Sequence, residues 1–197
     1  SGNTIENNIL YGIDAYNVDL RVWSDAVDIN TIQSNGQWKF AAQGIGITTN
    51  GTLDSSSYPL LLINDTSYLS SWKTLTLAAW SVIKVKNLEW ITVQWKLLSN
   101  GTSGNPVIIT SINDHSIWWS DGWWTWTPSK WNWKYIYING VWSNSSVLDY
   151  THIRYAWYSN NRWVYLYNTS ADIYNSIISD IQCVAIYLYW SNSEIYN

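Results

Sequence analysis

Over residues 163–167, "WVYLY", apolar and tyrosine positions alternate, and the same alternation returns over residues 185–189 as "AIYLY". Period-2 alternation predicts strands with one buried face. It turns Val164, Leu166, Ile186 and Leu188 inward and Tyr165, Tyr167, Tyr187 and Tyr189 outward. The two stretches belong to longer copies. Residues 163–175, "WVYLYNTSADIYN", align without gaps on residues 185–197, "AIYLYWSNSEIYN", at an offset of 22. A third copy, "SVLDYTHIRYA", places Leu148, Tyr150 and Ile153 where Ile173, Asn175 and Ile178 fall. The N-terminal "SGNTIENNILYGIDAYN" carries Ile5, Asn7, Gly12 and Ile13 in the same order.

Roughly 20 to 25 residues per copy is too short for a pair of helices and suits one coil of a parallel β-solenoid. Each strand then stacks on its equivalent about 4.8 Å along the axis, so like residues lie on like. Ile173 is expected over Ile195 inside, and Asn175 over Asn197 at a turn. The chain is predicted to be all-β: no capping box leads into a sustained 3.6-residue apolar period. The LxxLxLxxN frame of a leucine-rich repeat is missing.

The stretches "SNSSVLDYTHIRYA", "LYNTSADIYNSIISD" and "IYLYWSNSEIYN", preceded by "LTLAAWSVIKVKNLEWITVQWKLLSNGTSGNPVIITSINDHS", resemble right-handed parallel β-helix repeat proteins of the pectate-lyase-like class. The secreted and cell-surface members are the most similar. The resemblance implies a right-handed parallel β-helix of about 22–25 residues per coil, and an extracellular or cell-surface location. It divides the chain into 1–20, the end of a preceding β-helix stretch, 21–68, an irregular β connection, and 69–197, a parallel β-helix. Within the last, 69–110 supplies the leading strands, 111–132 a loop and 133–197 the regular coils. Such motifs specify fold well and function poorly.

Composition narrows the partners. Net charge is −4 and only 12% of residues are charged. Ten Lys and Arg spread along the chain make no patch able to neutralise phosphates, so nucleic acid is excluded. No apolar run is long enough to span a bilayer. Cys183 is the sole cysteine. It leaves no disulfide framework and no cysteine-based metal site, and reads as a small buried hydrophobe. With no Met and the flanks "SGNTIENN" and "SEIYN", the chain reads as a segment that continues into further β-helix coils of a longer protein.

The 17 tryptophans, against one Phe, are out of proportion, with seven between Trp118 and Trp133. Aligned on one another, the copies put Trp where a turn wants glycine: Trp163 takes the slot of Gly12 and Ala185. Trp80, Trp95, Trp131, Trp142 and Trp157 stand at similar places, which call for positive φ or close backbone approach. Only Trp133 and Trp38, each followed by Lys and an aromatic, sit where Trp is natural. The expectation is that many of these residues are glycine in the organism, encoded by UGA codons that its lineage reads as glycine. UGG codons in the gene refute it.

Three chemistries compete. The first is carbohydrate contact: aromatic rings stack on sugar faces, and Tyr165, Tyr167, Tyr187 and Tyr189 form an outward double stripe, with Tyr174 and Tyr196 on the next face. These tyrosines survive any recoding of Trp. The opposing account is structural, since aromatics are favoured cross-strand neighbours and stack for their own sake. The second chemistry is catalytic. A polysaccharide lyase or glycoside hydrolase on this fold would draw on Asp149, Asp172 and Glu194 with Arg154, and with Arg162 and His152 nearby. Hydrolysis needs two carboxyl groups about 5 to 9.5 Å apart, and the lyases of the resembled class need Ca²⁺-holding carboxylates with an Arg or Lys base. Nothing in the spacing assembles either set. The third is a calcium ion, the only cofactor the sequence suggests, held by Asn113, Asp114 and Asp121 in the long loop. Their spacing is not that of an EF-hand. The "NxS/T" triplets at Asn64, Asn100, Asn144 and Asn168 are acceptors only in a glycosylating host. The reading that remains is a non-catalytic β-helix segment with an adhesive, polysaccharide-contacting or structural role, and a polysaccharide or cell-surface glycan as partner.

Overall fold

The computed structural model describes residues 2–7, 11–19, 31–33, 38–46, 50–55, 60–64, 73–117, 127–130, 132–156, 162–182 and 184–197. Cys183, Asp121, Trp157 and the tryptophans from 118 to 131 lie outside these residues. The described chain is a parallel β-solenoid of about five turns, almost without helix.

Three parallel sheets run along it. Sheet I holds β5 (Gly51–Leu53), β7 (Thr74–Leu77), β10 (Lys96–Asn100), β13 (Val147–Asp149), β16 (Asp172–Tyr174) and β19 (Ile195–Tyr196). Sheet II holds β2 (Tyr11–Asp19), β4 (Trp38–Gly46), β6 (Leu60–Asn64), β8 (Val82–Val85), β11 (Val107–Ser111), β14 (Thr151–Arg154) and β17 (Ile177–Ser179). Sheet III holds β9 (Ile91–Val93), β12 (Ile136–Asn139), β15 (Arg162–Tyr167) and β18 (Val184–Tyr189). A separate pair joins β1 (Thr4–Glu6) to β3 (Thr31–Gln33). From β7 onward the chain visits sheets I, II and III in turn, one strand each per coil. Within 21–68, strands β4, β5 and β6 join the same sheets as the later coils.

The strand registers coincide with the repeats. Val164 pairs with Ile186, Tyr165 with Tyr187, Leu166 with Leu188 and Tyr167 with Tyr189. Ile173 lies on Ile195, Leu148 on Ile173 and Ile153 on Ile178. Side chains alternate in and out of a parallel strand, so equal register stacks inward residues into columns. Ile83, Ile109, Ile153 and Ile178 form one column. Ile91, Ile136, Val164 and Ile186 form another. These columns meet at the axis as one hydrophobic core. Each fully buried Leu, Ile or Val contributes about 1.5–3 kcal/mol.

Single left-handed residues turn the corners. After sheet III, Gly140 (φ 88°), Asn168 (φ 49°) and Trp190 (φ 52°) occupy one column. Gly140 N–H donates to the Tyr167 carbonyl and Asn168 N–H to that of Tyr189, each at 3.0 Å. Between sheets I and II, Tyr150 (φ 43°) stands over Asn175 (φ 47°). In the same column, a Cβ on Gly101 would lie 2.2 Å from the Tyr150 carbonyl oxygen, so only glycine fits there. Asn enters the left-handed region readily, which suits Asn168 and Asn175, while Tyr150 and Trp190 hold the same backbone in the same columns.

The tryptophan slots divide on this test. Trp80 takes φ 66°, a glycine-like backbone, which Trp190, not one of those slots, also has. Trp95, Trp142 and Trp163 do not have positive φ. Trp163 is instead wholly buried in the core, and the Nε1–H groups of Trp95 and Trp163 find no hydrogen-bond partner among the described residues. Trp133 is also fully buried, with its Nε1–H donating to the Arg154 carbonyl at 2.7 Å.

Candidate functional site

The outward face of sheet III follows from strand register alone. One row runs Thr92, Tyr137, Tyr165, Tyr187, and the next holds Asn139, Tyr167 and Tyr189. No residue at these positions is charged. Tyr137 and Tyr165 stack with centroids 4.8 Å apart and planes at 23°. Tyr165 meets Tyr187 edge-on at 5.3 Å. Tyr167 and Tyr189 stack at 5.5 Å, within 5° of parallel. The rows extend at both ends. Tyr135 packs edge-on to Tyr137 at 6.4 Å and stacks on Trp90 at 6.1 Å. Lys134 Nζ sits 3.9 Å over the Trp90 ring, a cation–π contact. Trp190, 73% exposed, leans on Tyr189 at 5.0 Å. All four tyrosines singled out in the sequence therefore lie on one aromatic face. Tyr135, Tyr137, Trp90 and Trp190 join them. The alternation of "YIYIN" carried that signal, but Ile136 precedes Val164 by 28 residues, not 22, so this copy escapes a fixed-offset alignment.

On sheet I, Tyr174 and Tyr196 pair at 4.4 Å. Tyr174 Oη donates to Asp172 at 2.9 Å, and this bond, followed by burial, pushes the phenol well above its usual range. The other Asp172 oxygen accepts the Glu194 N–H at 2.8 Å. Asp149 accepts Asn175 Nδ2 at 2.9 Å, and its rung neighbour is Tyr174, while Asp172 stands over Val147. Each Asp is thus tied into the ladder next to it, and the two do not share a register position. Arg154 is on sheet II with His152 in the same strand, whereas these carboxylates are on sheet I.

Arg154 instead belongs to a charged cluster. Lys84, Thr110 and Arg154 share a register row on the outward side of sheet II. After β11 the chain folds back and lays Asp114 against that row. Asp114 accepts Thr110 Oγ1 at 2.7 Å and Ser116 Oγ at 2.6 Å, and lies 3.8 Å from Arg154. Lys84 Nζ donates to the Asp114 backbone carbonyl. Both Lys84 and Asp114 are fully buried. Of the proposed calcium ligands, Asn113 Nδ2 donates to Asn87 at 3.4 Å, and Asp121 is outside the described residues. A calcium ion at Asp114 would have to displace the guanidinium and hydroxyls already on it. Among the described residues no group of three or more His, Cys, Asp or Glu is placed to hold a metal.

Burial, opposed by Asp114 and reinforced by Arg154, lowers the Lys84 ammonium to about 8. Burial and Arg154 also lower His152, and burial with Asp114 raises Tyr155. Unfolded, Lys84 would titrate near 10.4. Between pH 8 and that value the unfolded chain holds a proton that the folded chain has released, so stability rises with pH across this window. The gain is about 3 kcal/mol. Urea titrations from pH 7 to 10 should show this rise in the wild type and its loss in Lys84→Met.

Comparisons with family models, curated proteins and solved structures found no match for this chain. Among the described residues no helix is long and apolar enough to cross a membrane.

Proposed function

We propose that this chain is a non-catalytic, glycan-contacting module of a secreted or cell-surface β-helix protein of the pectate-lyase-like class, and that the outward face of sheet III is its contact surface. The observation that carries this reading is the continuous aromatic face from Trp90 through Tyr137 and Tyr165 to Tyr189 and Trp190. Carbohydrates present both apolar C–H patches and hydroxyls. Tyrosine answers both, with an apolar ring and a hydroxyl that donates and accepts. Rows locked by mutual stacking also lose little side-chain entropy on binding.

Retention on insoluble polysaccharide tests the proposal. Tyr165→Ala and Tyr187→Ala should each weaken retention about tenfold, equivalent to 1.4 kcal/mol, while thermal unfolding confirms that the variants are folded. Retention equal to wild type in both variants refutes it. Release of unsaturated or reducing sugar ends by the wild type would replace it with an enzymatic role.

A further inference from the structure

Resting on the glycan-contacting reading, the geometry of sheet III narrows the ligand. We infer that it is a linear, uncharged, equatorially linked polysaccharide lying along the solenoid axis, with one sugar per coil.

Direction comes from where the contacts are. Along the axis the row Thr92, Tyr137, Tyr165, Tyr187 offers four successive rungs. Across the sheet, β15 offers two outward tyrosines, Tyr165 and Tyr167, before the chain turns at Asn168. A polymer gathers more contacts along the axis than across it. Spacing comes from the stack. The row's ring centroids are 4.8 and 5.3 Å apart, and Tyr167 and Tyr189 are 5.5 Å apart. An extended chain of equatorially linked pyranoses advances about 5 Å per sugar, close to the rung repeat of a parallel sheet, whereas a coiled glucan drifts out of step within a few units.

Charge selects the neutral class. The row positions are Thr, Asn and Tyr, and the chain carries −4 overall, so a polyuronate would meet repulsion with no compensating cationic row among the described residues. Lys134 is engaged over Trp90 at one end of the face. The stacking also decides how the sugar is held. The faces of Tyr137 and Tyr165, and of Tyr167 and Tyr189, are turned toward each other. The surface therefore offers ring edges and phenolic oxygens, a comb with the period of the coils, and the hydroxyls rather than the ring faces set the register.

Calorimetric titration with cello-oligosaccharides of two to six sugars tests this, beside malto-oligosaccharides as a coiled neutral series and oligogalacturonates as an extended anionic one. Affinity should rise severalfold with each added sugar up to four and then level off in the cello series only. Tyr165→Phe keeps the ring stack and should weaken cellohexaose binding severalfold at unchanged Tm. Equal affinity for cellobiose and cellohexaose, tighter binding of either control series, or an unaffected Tyr165→Phe overturns the inference while leaving a glycan-binding surface in place. No binding in any series overturns the glycan-contacting reading as well.

Discussion

Asp114→Ala should lower the unfolding free energy by about 3–5 kcal/mol, because it strips the counter-charge from a buried cluster and leaves two cations behind. Lys84 is fully buried on the outward side of sheet II, and Arg154 shares its row. The Asp114 carboxylate is the only acidic group that the described structure places against both, and it also receives Thr110 and Ser116. Without it, Lys84 has to discharge or drag water into the sheet. Chemical denaturation at pH 7 measures the loss. The double variant Lys84→Met/Asp114→Ala should recover part of it, since removing both charges avoids the uncompensated burial. A loss below 1 kcal/mol would mean that the cluster is solvated and not structural. The segment after β11 is anchored to the solenoid through Asp114, so protease cleavage near residues 112–117 should also accelerate in the single variant.

Trp133→Ala should cost a similar 3–5 kcal/mol, by emptying a core position and orphaning a carbonyl. Trp133 is wholly buried, forms a parallel bridge to Ala156 and donates its indole N–H to the Arg154 carbonyl. It thus ties the strand-like segment before β12 to the end of β14. Trp133→Phe retains most of the volume and loses only the hydrogen bond, so it should cost about 1–2 kcal/mol. Thermal or urea unfolding of the pair separates packing from hydrogen bonding. Equal costs for the two would assign the whole effect to the N–H. The contrast with Trp80 is instructive: at φ 66° and 41% exposed, Trp80→Gly should stabilise where Trp133→Ala destabilises.

Strand alternation and the 22-residue offset were readable because a parallel solenoid repeats its own environment. Val164 over Ile186 and Tyr165 over Tyr187 are the same position one coil on, so the pattern needs no knowledge of distant contacts. The turn at Asn175 was legible for the same reason, and its backbone is left-handed at φ 47°. Tyr137 was harder, because its coil is longer both at the turn between β12 and β13 and between β14 and β15, which breaks the fixed spacing. The glycine-like reading of Trp80 agrees with its backbone, but Trp163 is a core residue, a distinction that depends on local φ and burial and not on the aligned slot.

The sequence by itself determined the fold class, the inward and outward faces of the coils and the tyrosine double stripe, because these depend on a period of two along the strand and a near-constant period between coils. Tertiary structure alone decided three further things. It tilted Tyr137 and Tyr165 face to face and Tyr165 and Tyr187 edge to face. It gave Asp149 and Asp172 different rung partners, and tied each carboxylate to a neighbour in the ladder. And it buried Lys84, at an outward strand position, under an aspartate 30 residues further on. The reason is common to all three. Periodicity sets which face a side chain is on, but ring tilt, rung offset and a loop folded back on a sheet depend on contacts between residues far apart in the chain, and no local pattern encodes those.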